Sequence, residues 1–388
     1  IKYVLETHFH ADFVSGHLDL AKKTGATIVY GPTAKPGFEA MVATDGQELT
    51  VGKVLIRVIH TPGHTLESTT YLLIDETGKE KCIFTGDTLF IGDVGRPDLA
   101  QHVIADLTED KLAGMLFDSL HSKIMPLSDD LIVYPNHGAG SACGKMMSKE
   151  TQDTLGHQKR TNYALRPNMT KEEFKKEVLT GLMPSPGYFP QNVLMNIKGY
   201  ESLDTVMERA RVAHSPEAFE AVAAAHEALI IDARIASDFA KGFIPGSINF
   251  GLDGSFAMWV GEMVPDLKQQ ILLVTDHGKE EEAMIRLSRI GHDGLVGYLK
   301  GGFDAWKAAG KPVDTMVRIS AEEFAARYAM KPLVFDVRKK SEFEAEHVVG
   351  ALNIPLNGLN NHLAEIPKDM PFILHCAGGY RSMIAASM

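Results

Sequence analysis

The stretch that decides the fold of the first part of this chain is residues 7–13, THFHADF, with two histidines and an aspartate at alternate positions. It directly follows the apolar run IKYVL at 1–5, which predicts a short strand ending where the polar side chains begin. A further imidazole stands in PGHT at 62–65, and a further carboxylate ends FTGD at 84–87, after another β-rich segment. Loops at strand ends that carry these side chains predict a metal site on which they converge.

The metal ligands that we predict are His8, His64 and Asp87. Two neutral imidazoles and a carboxylate with open coordination positions suit a mononuclear non-haem Fe(II), which must bind both a substrate and dioxygen. A mononuclear zinc hydrolase would use similar ligands, with His10 added and one bound water as nucleophile. The spacing of the residues leaves both metals open.

Phe13 stands where a two-metal site of this kind would need another ligand. We therefore expect one metal ion per chain. For His10, Asp12 and His137 we expect supporting or vestigial roles around that ion rather than direct ligation.

A second chemical site is predicted near the end of the chain, where residues 376–382 read CAGGYRS after an apolar strand. The glycines let backbone N–H groups turn inward, and the amino terminus of the following helix adds positive potential. With the charge of Arg381, this loop should favour the thiolate of Cys376, which makes it a candidate nucleophile. The remaining residues of the predicted anion-binding loop are Ala377, Gly378, Gly379 and Tyr380.

Two weaker candidates accompany these sites. Cys143 lies on a glycine-rich stretch that we expect to reach the mouth of the metal site, where its sulfur could act as a relay. Lys159, Arg160 and Arg166 could meet the charged end of a low-molecular-weight thiol.

Composition restricts the class of protein. A chain of 388 residues predicts about two to four domains. The net charge of −11, without long runs of like charge, argues against nucleic-acid and anionic-membrane partners, and small molecules are the expected ones. The three cysteines, without paired spacing, favour a reducing compartment, and we expect the cytoplasm. Homo-oligomerisation is left open.

An internal repeat organises the second half of the chain. Residues 229–234, LIIDAR, and 333–338, LVFDVR, are each followed at equal separations by phenylalanine, glycine and asparagine. Each copy then runs to a strand, a glycine-containing turn and a helix, which predicts two tandem α/β domains. We predict domains at 1–199, 200–314 and 315–388. The second copy stops soon after its loop, and no partner strands precede the strand that leads into the first metal loop, so we expect both the first and the last domain to be truncated.

The motifs THxHAD, PGHT and FTGDTLF, the last continuing as GDVGRPDL at 92–99, resemble the metallo-β-lactamase fold, in the branch that holds glyoxalase II and the persulfide dioxygenases. The resemblance implies an αββα sandwich. In the persulfide dioxygenases a single iron is held by two histidines and an aspartate, which correspond to His8, His64 and Asp87. Phe13 departs from the wider His-x-His-x-Asp-His pattern and argues against a dizinc hydrolase.

The repeats resemble rhodanese sulfurtransferases, in which a cysteine opening a six-residue loop accepts sulfane sulfur. The matching loop of the first copy reads DHGKEE at 276–281, so Asp276 is expected in place of the cysteine. A carboxylate cannot form a persulfide. We expect the first copy to be a catalytically silent spacer or docking domain.

Together these features resemble fusions of a persulfide dioxygenase with rhodanese domains. The expected fold is α/β multidomain, with the metallo-β-lactamase sandwich followed by two rhodanese-like domains. The implied activity is Fe(II)-dependent oxidation of a thiol persulfide by dioxygen to sulfite, coupled to transfer of sulfur to or from thiosulfate. Two alternatives stay open: a glyoxalase II-like zinc thioester hydrolase fused to a sulfurtransferase, and a non-enzymatic sulfur-relay or docking protein.

Overall fold

The computed structural model describes residues 1–99, 107–182 and 184–388, and the chain divides into two compact units, Ile1–Ser202 and Leu203–Met388. We describe each unit separately. Across the described residues, no helix combines the length and the apolar character needed to cross a membrane.

The first unit contains two sheets and several helices. Its strands are β1 Tyr3–Leu5, β2 Thr27–Tyr30, β3 Met41–Val42, β4 Glu48–Val51, β5 Val54–His60, β6 Thr69–Ile74, β7 Glu80–Gly86, β8 Ile132–Pro135 and β9 Asp153–Thr154. Its helices are α1 His17–Thr24, α2 Glu109–Ser119, α3 Leu155–Thr161, α4 Lys171–Leu179 and α5 Phe189–Lys198, with a π-helical turn at Leu120–Ile124 and a 3-10 turn at Tyr163–Leu165.

The strands form a parallel sheet in the order β1-β2-β3 and a sheet in the order β4-β5-β6-β7-β8-β9. The second sheet is antiparallel except where β7 and β8 run parallel. Tyr71 on β6 packs with Val29 on β2, so the two sheets pack face to face.

Outer helices cover the two remaining faces of these sheets. Leu72, the neighbour of Tyr71 in sequence, points to the other side and packs with Leu116 on α2 and Phe174 on α4. Ile28 on β2 packs toward α1 and α5. The order of layers is therefore helix, sheet, sheet, helix, and this confirms the αββα sandwich predicted for this part of the chain.

The second unit contains the two repeat copies. Its strands are β10 Ala213–His214, β11 Leu229–Asp232, β12 Ile248–Asn249, β13 Ile271–Val274, β14 Leu295–Leu299, β15 Leu333–Asp336, β16 Leu352–Asn353 and β17 Phe372–His375. Its helices are α6 Leu203–Ala210, α7 Pro216–His226, α8 Ala236–Lys241, α9 Phe256–Met263, α10 Glu280–Ser288, α11 Gly302–Ala308, α12 Ala321–Tyr328, α13 Lys340–Ala345, α14 Leu359–His362 and α15 Tyr380–Ser387, with 3-10 turns at Leu356–Gly358 and Leu363–Glu365.

Each copy has its own parallel sheet. The first has the order β10-β14-β13-β11-β12 and the second the order β16-β15-β17. In both copies the strand that precedes the anion-loop position pairs with the first repeat strand, β13 with β11 and β17 with β15. The two rhodanese-like α/β domains expected from the repeat are thus present.

The repeated Asp-x-Arg and the distant asparagine form one lock in each copy. In the second copy, Arg338 binds both oxygens of Asp336 through Nε and Nη2, at 2.7 to 3.0 Å. Asn353 Nδ2 donates to the carbonyl oxygens of Asp336 and Arg338, at 2.9 and 3.0 Å. The corresponding residues of the first copy, Asp232, Arg234 and Asn249, make the same bonds. This lock fixes the end of the first strand, beside which the loop of each copy begins.

Candidate functional site

His8, His64 and Asp87 come together in the first unit, from the loops that follow β1, β5 and β7. All three are buried, and Nε2 of His8 and of His64 lies 4.0 and 3.4 Å from Oδ2 of Asp87. Among the described residues, neither carboxylate oxygen of Asp87 accepts a hydrogen bond from an N–H or O–H group. A buried carboxylate without such donors is costly unless a cation faces it, so these residues fit a metal ion.

The two imidazoles are oriented by bonds at their other nitrogen. Nδ1 of His64 lies 2.8 Å from the carbonyl oxygen of Arg96. Because a carbonyl can only accept, Nδ1 carries the proton and the Nε2 lone pair is free to face Asp87. Nδ1 of His8 lies 3.0 Å from Oγ1 of Thr7, which also accepts a hydrogen bond from Asn136. Burial, reinforced by His10, His64 and His137, holds the pKa of His8 well below its usual range, so this ring is neutral and available as a ligand.

The turn at Gly63 brings His64 close to α2. Gly63 has a φ of +148°, and a Cβ there would stand 2.4 Å from Cα of Leu116. Glycine is therefore required both by the backbone conformation and by the close approach of the helix.

His10, Asp12 and His137 form a second group, which adjoins the first through Asp87. Nε2 of His137 lies 3.4 Å from Oδ2 of Asp12 and 3.5 Å from Oδ2 of Asp87. Phe13 stacks on the ring of His10, with ring centroids 4.4 Å apart. Their supporting role stays a prediction, since these three side chains also meet the spacing of a ligand set.

The adjoining group is desolvated. Burial raises the pKa of Asp12 to about 6, with a further contribution from the charge of Asp87. Burial lowers the pKa of His10 to about 4, so its ring is neutral. Both shifts favour the neutral form of the side chain, because burial removes the water that would stabilise a charge. A bound cation would offset part of the free-energy cost of burying a charged carboxylate in this group.

Cys143 reaches the same cluster. Its sulfur belongs to a further potential ligand group with Asp87 and His137, and the side chain is buried. Burial, followed by the negative charges of Asp87 and Asp12, raises the pKa of this thiol well above its usual range. The structure therefore brings Cys143 to the metal pocket, and its role as a relay stays a prediction.

The loop that carries Cys143 is fastened by the buried carboxylate of Asp93. Its Oδ2 accepts the backbone N–H groups of Lys145 and Met146, both at 2.6 Å. Its Oδ1 accepts the hydroxyl of Tyr163 at 3.1 Å. Asp93 thereby fixes the position of Cys143, only two residues before this anchor.

Glu6 is a site residue that the sequence argument missed. It is buried beside the metal pocket, with Oε2 3.6 Å from Nε2 of His10 and Oε1 3.7 Å from Nδ1 of His17. Ser15 donates to Oε1 at 2.7 Å, and burial raises the pKa of Glu6 to about 7. The available signal was its position four residues before His10, directly after an apolar strand.

The three basic residues that we predicted to bind a substrate thiol differ in their contacts. Lys159 donates to Asp129 at 2.5 Å and to the carbonyl oxygen of Leu127 at 2.7 Å. Arg166 pairs with Glu177, whereas Arg160 is exposed. Their role in substrate binding stays a prediction.

In the second unit, Cys376 opens the turn between β17 and α15. Gly379, with φ +90°, directs its N–H to Sγ at 3.1 Å, and the hydroxyl of Ser382 lies 3.6 Å from Sγ. Burial alone would raise the pKa of this thiol, but the bonds from Ser382 and from the backbone of the loop outweigh it, so the pKa of Cys376 is lowered. Ala377 and Gly378 are exposed at the tip of the loop.

Arg381 reaches this loop already paired. Its two terminal nitrogens bind Glu342, at 2.6 and 2.9 Å. The positive charge that the sequence assigned to the thiolate is thus shared with a carboxylate. The bonds that lower the pKa of Cys376 come instead from Ser382 and the backbone N–H groups.

The strand register and the helix start give two neighbouring counterparts of Cys376 in the first copy. Leu229 pairs with Ile271 in β13, and Leu333 pairs with Phe372 in β17, so Thr275 and Cys376 each directly follow the strand. Asp276, the predicted counterpart, stands four residues before α10, as Cys376 stands four residues before α15. Neither a threonine hydroxyl nor a carboxylate can carry sulfane sulfur. The silent role of the first copy stays a prediction.

Comparisons with known proteins identify both units. Residues 1–137 match the metallo-beta-lactamase superfamily, and residues 215–309 and 320–388 match the rhodanese-like domain. A solved metallo-beta-lactamase from Staphylococcus aureus subsp. aureus COL is 30% identical, with a TM-score of 0.65 over 77% of this chain and 84% of that one. The chain therefore belongs to the metallo-beta-lactamase superfamily, and it carries rhodanese-like domains after the metal-binding fold.

Curated relatives align with part of the chain. A probable hydroxyacylglutathione hydrolase of Schizosaccharomyces pombe is 30% identical over 40% of this chain and 56% of its own length. A hydroxyacylglutathione hydrolase of Brucella anthropi is 38% identical over 35% of this chain and 47% of its own length. The chain thus spans about half the length of these relatives.

We predict that Asp93→Ala loosens the loop of Cys143. The amides of Lys145 and Met146 lose their acceptor, and each lost hydrogen bond to a partly exposed group costs about 0.5–1.5 kcal/mol. Hydrogen exchange followed by mass spectrometry should show faster exchange over residues 138–148. Tyr163→Phe removes only one bond to Asp93 and should have a smaller effect; equal exchange in Asp93→Ala and the wild type would contradict this anchoring role.

Proposed function

We propose that this protein is an Fe(II)-dependent persulfide dioxygenase coupled to a rhodanese-type sulfurtransferase. The observation that carries the proposal is the combination, in one chain, of the His8–His64–Asp87 group with a cysteine cradle of lowered thiol pKa. A metal site and a sulfur carrier are both expected where persulfide sulfur is oxidised and exchanged. The substrates would be small molecules: a thiol persulfide, dioxygen, and sulfite or thiosulfate.

In the first unit, His8, His64 and Asp87 would hold the ion. When bound, Fe(II) would supply open coordination positions and the redox chemistry for the reaction of the persulfide with dioxygen. The net reaction is RSSH + O₂ + H₂O → RSH + SO₃²⁻ + 2H⁺, in which the terminal sulfur is oxidised and dioxygen is reduced. The thiol of Cys143 and the pair Asp12–His137 lie beside Asp87, where they would contact a substrate held at the metal.

In the second unit, the Cys376 thiolate would attack the outer sulfur of thiosulfate. A new S–S bond forms at Sγ, the S–S bond of thiosulfate breaks, and sulfite leaves with the electron pair. The reverse step, attack of sulfite on the Cys376 persulfide, regenerates the thiolate and yields thiosulfate. Neither direction needs an external oxidant, and the N–H of Gly379 would stabilise negative charge on the sulfur in both.

A zinc thioester hydrolase is the second candidate for the first unit. It is favoured by the 38% identity to a hydroxyacylglutathione hydrolase over 141 residues. In that reaction a metal-bound water would attack the thioester carbonyl, and no dioxygen would be consumed.

Oxygen consumption separates the two candidates. Iron-loaded protein with glutathione persulfide should consume one O₂ for each sulfite formed, and Cys376→Ser should keep this uptake while losing transfer of sulfur from thiosulfate to cyanide. Asp87→Ala should lose at least about tenfold in iron content by elemental analysis, since a ligand is gone.

The contrary result for this prediction is equally concrete. Hydrolysis of S-lactoylglutathione by the zinc-loaded protein, without oxygen uptake by the iron-loaded one, would replace the dioxygenase by the hydrolase. The arm with Cys376→Ser tests the second unit independently, because its thiol lies in a different domain.

The lowered pKa of Cys376 gives a pH-dependent prediction. Since the pKa of Cys376 is lowered in the folded state, alkylation of Cys376 by iodoacetamide should reach half its maximal rate at a lower pH in the folded protein than in the same chain unfolded in urea. Ser382→Ala removes a hydrogen-bond partner of Sγ, so the midpoint should move to higher pH. Ser341→Ala, at an exposed position, is the matched control; a midpoint that stays in place in Ser382→Ala would refute the role of this hydroxyl.

A further inference from the structure

One tyrosine connects the cysteine loop of the second copy to the first copy. The hydroxyl of Tyr380, the first residue of α15, donates to the carbonyl oxygen of Gly251 at 2.8 Å, 129 residues earlier in the chain. Its ring lies against Gly254, where a Cβ would stand 2.4 Å from Cε2 of Tyr380. The ring therefore fills space that only glycine at 254 leaves open.

The rest of α15 uses the same face. Tyr380, Met383 and Ser387 are spaced by three and four residues, so they lie on one side of the helix. Met383 packs in a cluster with Phe239 of the first copy. The hydroxyl of Ser387 accepts the backbone N–H of Asn249 at 3.0 Å. The helix is thus held by the first copy along its length.

The groups that bind the sulfur flank this tyrosine in sequence. Gly379, whose N–H points at Sγ of Cys376, directly precedes Tyr380, and Ser382 follows two residues later. A displacement of Tyr380 must therefore move both groups relative to the sulfur.

We propose that Tyr380 is a positioning residue through which the first copy, which lacks the cysteine, holds the Cys376 loop in its thiolate-stabilising conformation. The first copy is then a structural half of the sulfur-transfer site rather than a spacer. The expected effect on sulfur transfer rests on the sulfurtransferase function proposed above. The expected effect on the reactivity of the Cys376 thiol does not depend on that function.

The charged groups around the Cys376 loop are not changed by the substitutions at Tyr380 and Gly254 that are described below. Arg381 is paired with Glu342, and Nε2 of His375 lies 3.5 Å from Oδ2 of Asp336. A terminal nitrogen of Arg318 lies near Gly379. The other charged residues that act on this region are Arg338, paired with Asp336, and Asp253 and Arg286, both close to Tyr380.

The first experiment compares Tyr380→Phe with the wild type in the full chain. Loss of one hydrogen bond should lower kcat/KM for sulfur transfer from thiosulfate to cyanide about 3- to 10-fold. The pH midpoint for alkylation of Cys376 by iodoacetamide, followed by mass spectrometry of its peptide, should move to higher pH. Tyr328→Phe is the matched control, because its hydroxyl also donates to a carbonyl, that of Val349, within the second copy.

The second experiment tests the contact itself with a double-mutant cycle. Gly254→Ala should shift the alkylation midpoint in the wild-type background, because the added methyl group meets the ring of Tyr380. In the Tyr380→Ala background the methyl group has room, so Gly254→Ala should cause no further shift.

The outcomes distinguish this proposal from the proposed function. Equal midpoints in Tyr380→Phe and the wild type, or additive effects of Gly254→Ala and Tyr380→Ala, would overturn the coupling even if sulfur transfer is active. If the wild type transfers no sulfur, the alkylation midpoints decide alone, since they require no turnover. A Gly254→Ala protein that fails to fold leaves the decision with Tyr380→Phe.

Discussion

The carboxylate of Asp87 is the constraint on which the first unit depends. It is buried without an N–H or O–H partner among the described residues, and the imidazoles of His8, His64 and His137 approach the same oxygen within 4.0 Å. Several imidazole rings around one buried carboxylate are an arrangement that a cation stabilises and that an apolar core does not. The loops that carry these side chains begin at the ends of strands in the two packed sheets. The packing of the sheets therefore determines where the site forms.

In the second unit, hydrogen bonds stabilise the negative charge of the Cys376 thiolate. Arg381, the cation of the Cys376 loop, is paired with Glu342 and is therefore not available to the sulfur alone. Backbone N–H groups and the Ser382 hydroxyl stabilise the thiolate instead, and the direction of such dipoles depends on the exact course of the loop. The pKa of a thiol stabilised mainly by such hydrogen bonds is therefore more sensitive to the packing of the following helix than the pKa of a thiol stabilised by a mobile charged side chain.

Much of this organisation could be predicted from residues that carry a strong local signal. The motif at 7–13 indicated His8, the loops at 62–65 and 84–87 indicated His64 and Asp87, and the internal repeat indicated two α/β domains. The counterpart of Cys376 in the first copy is harder to assign, because one extra loop residue makes the strand register point to Thr275 and the helix start to Asp276. Glu6 follows an apolar strand four residues before His10, but this position alone does not reveal that its carboxylate is buried beside the His10 ring.

The Asp-x-Arg and asparagine lock has a consequence for how such a chain can diverge. Each copy satisfies the polar groups of its own lock internally, at Asp232 in one and Asp336 in the other, without using the loop that follows the neighbouring strand. The residue that opens the loop can therefore change in either copy while the fold of that copy is kept. Variation of the loop and stability of the scaffold are in this way largely independent in a duplicated domain.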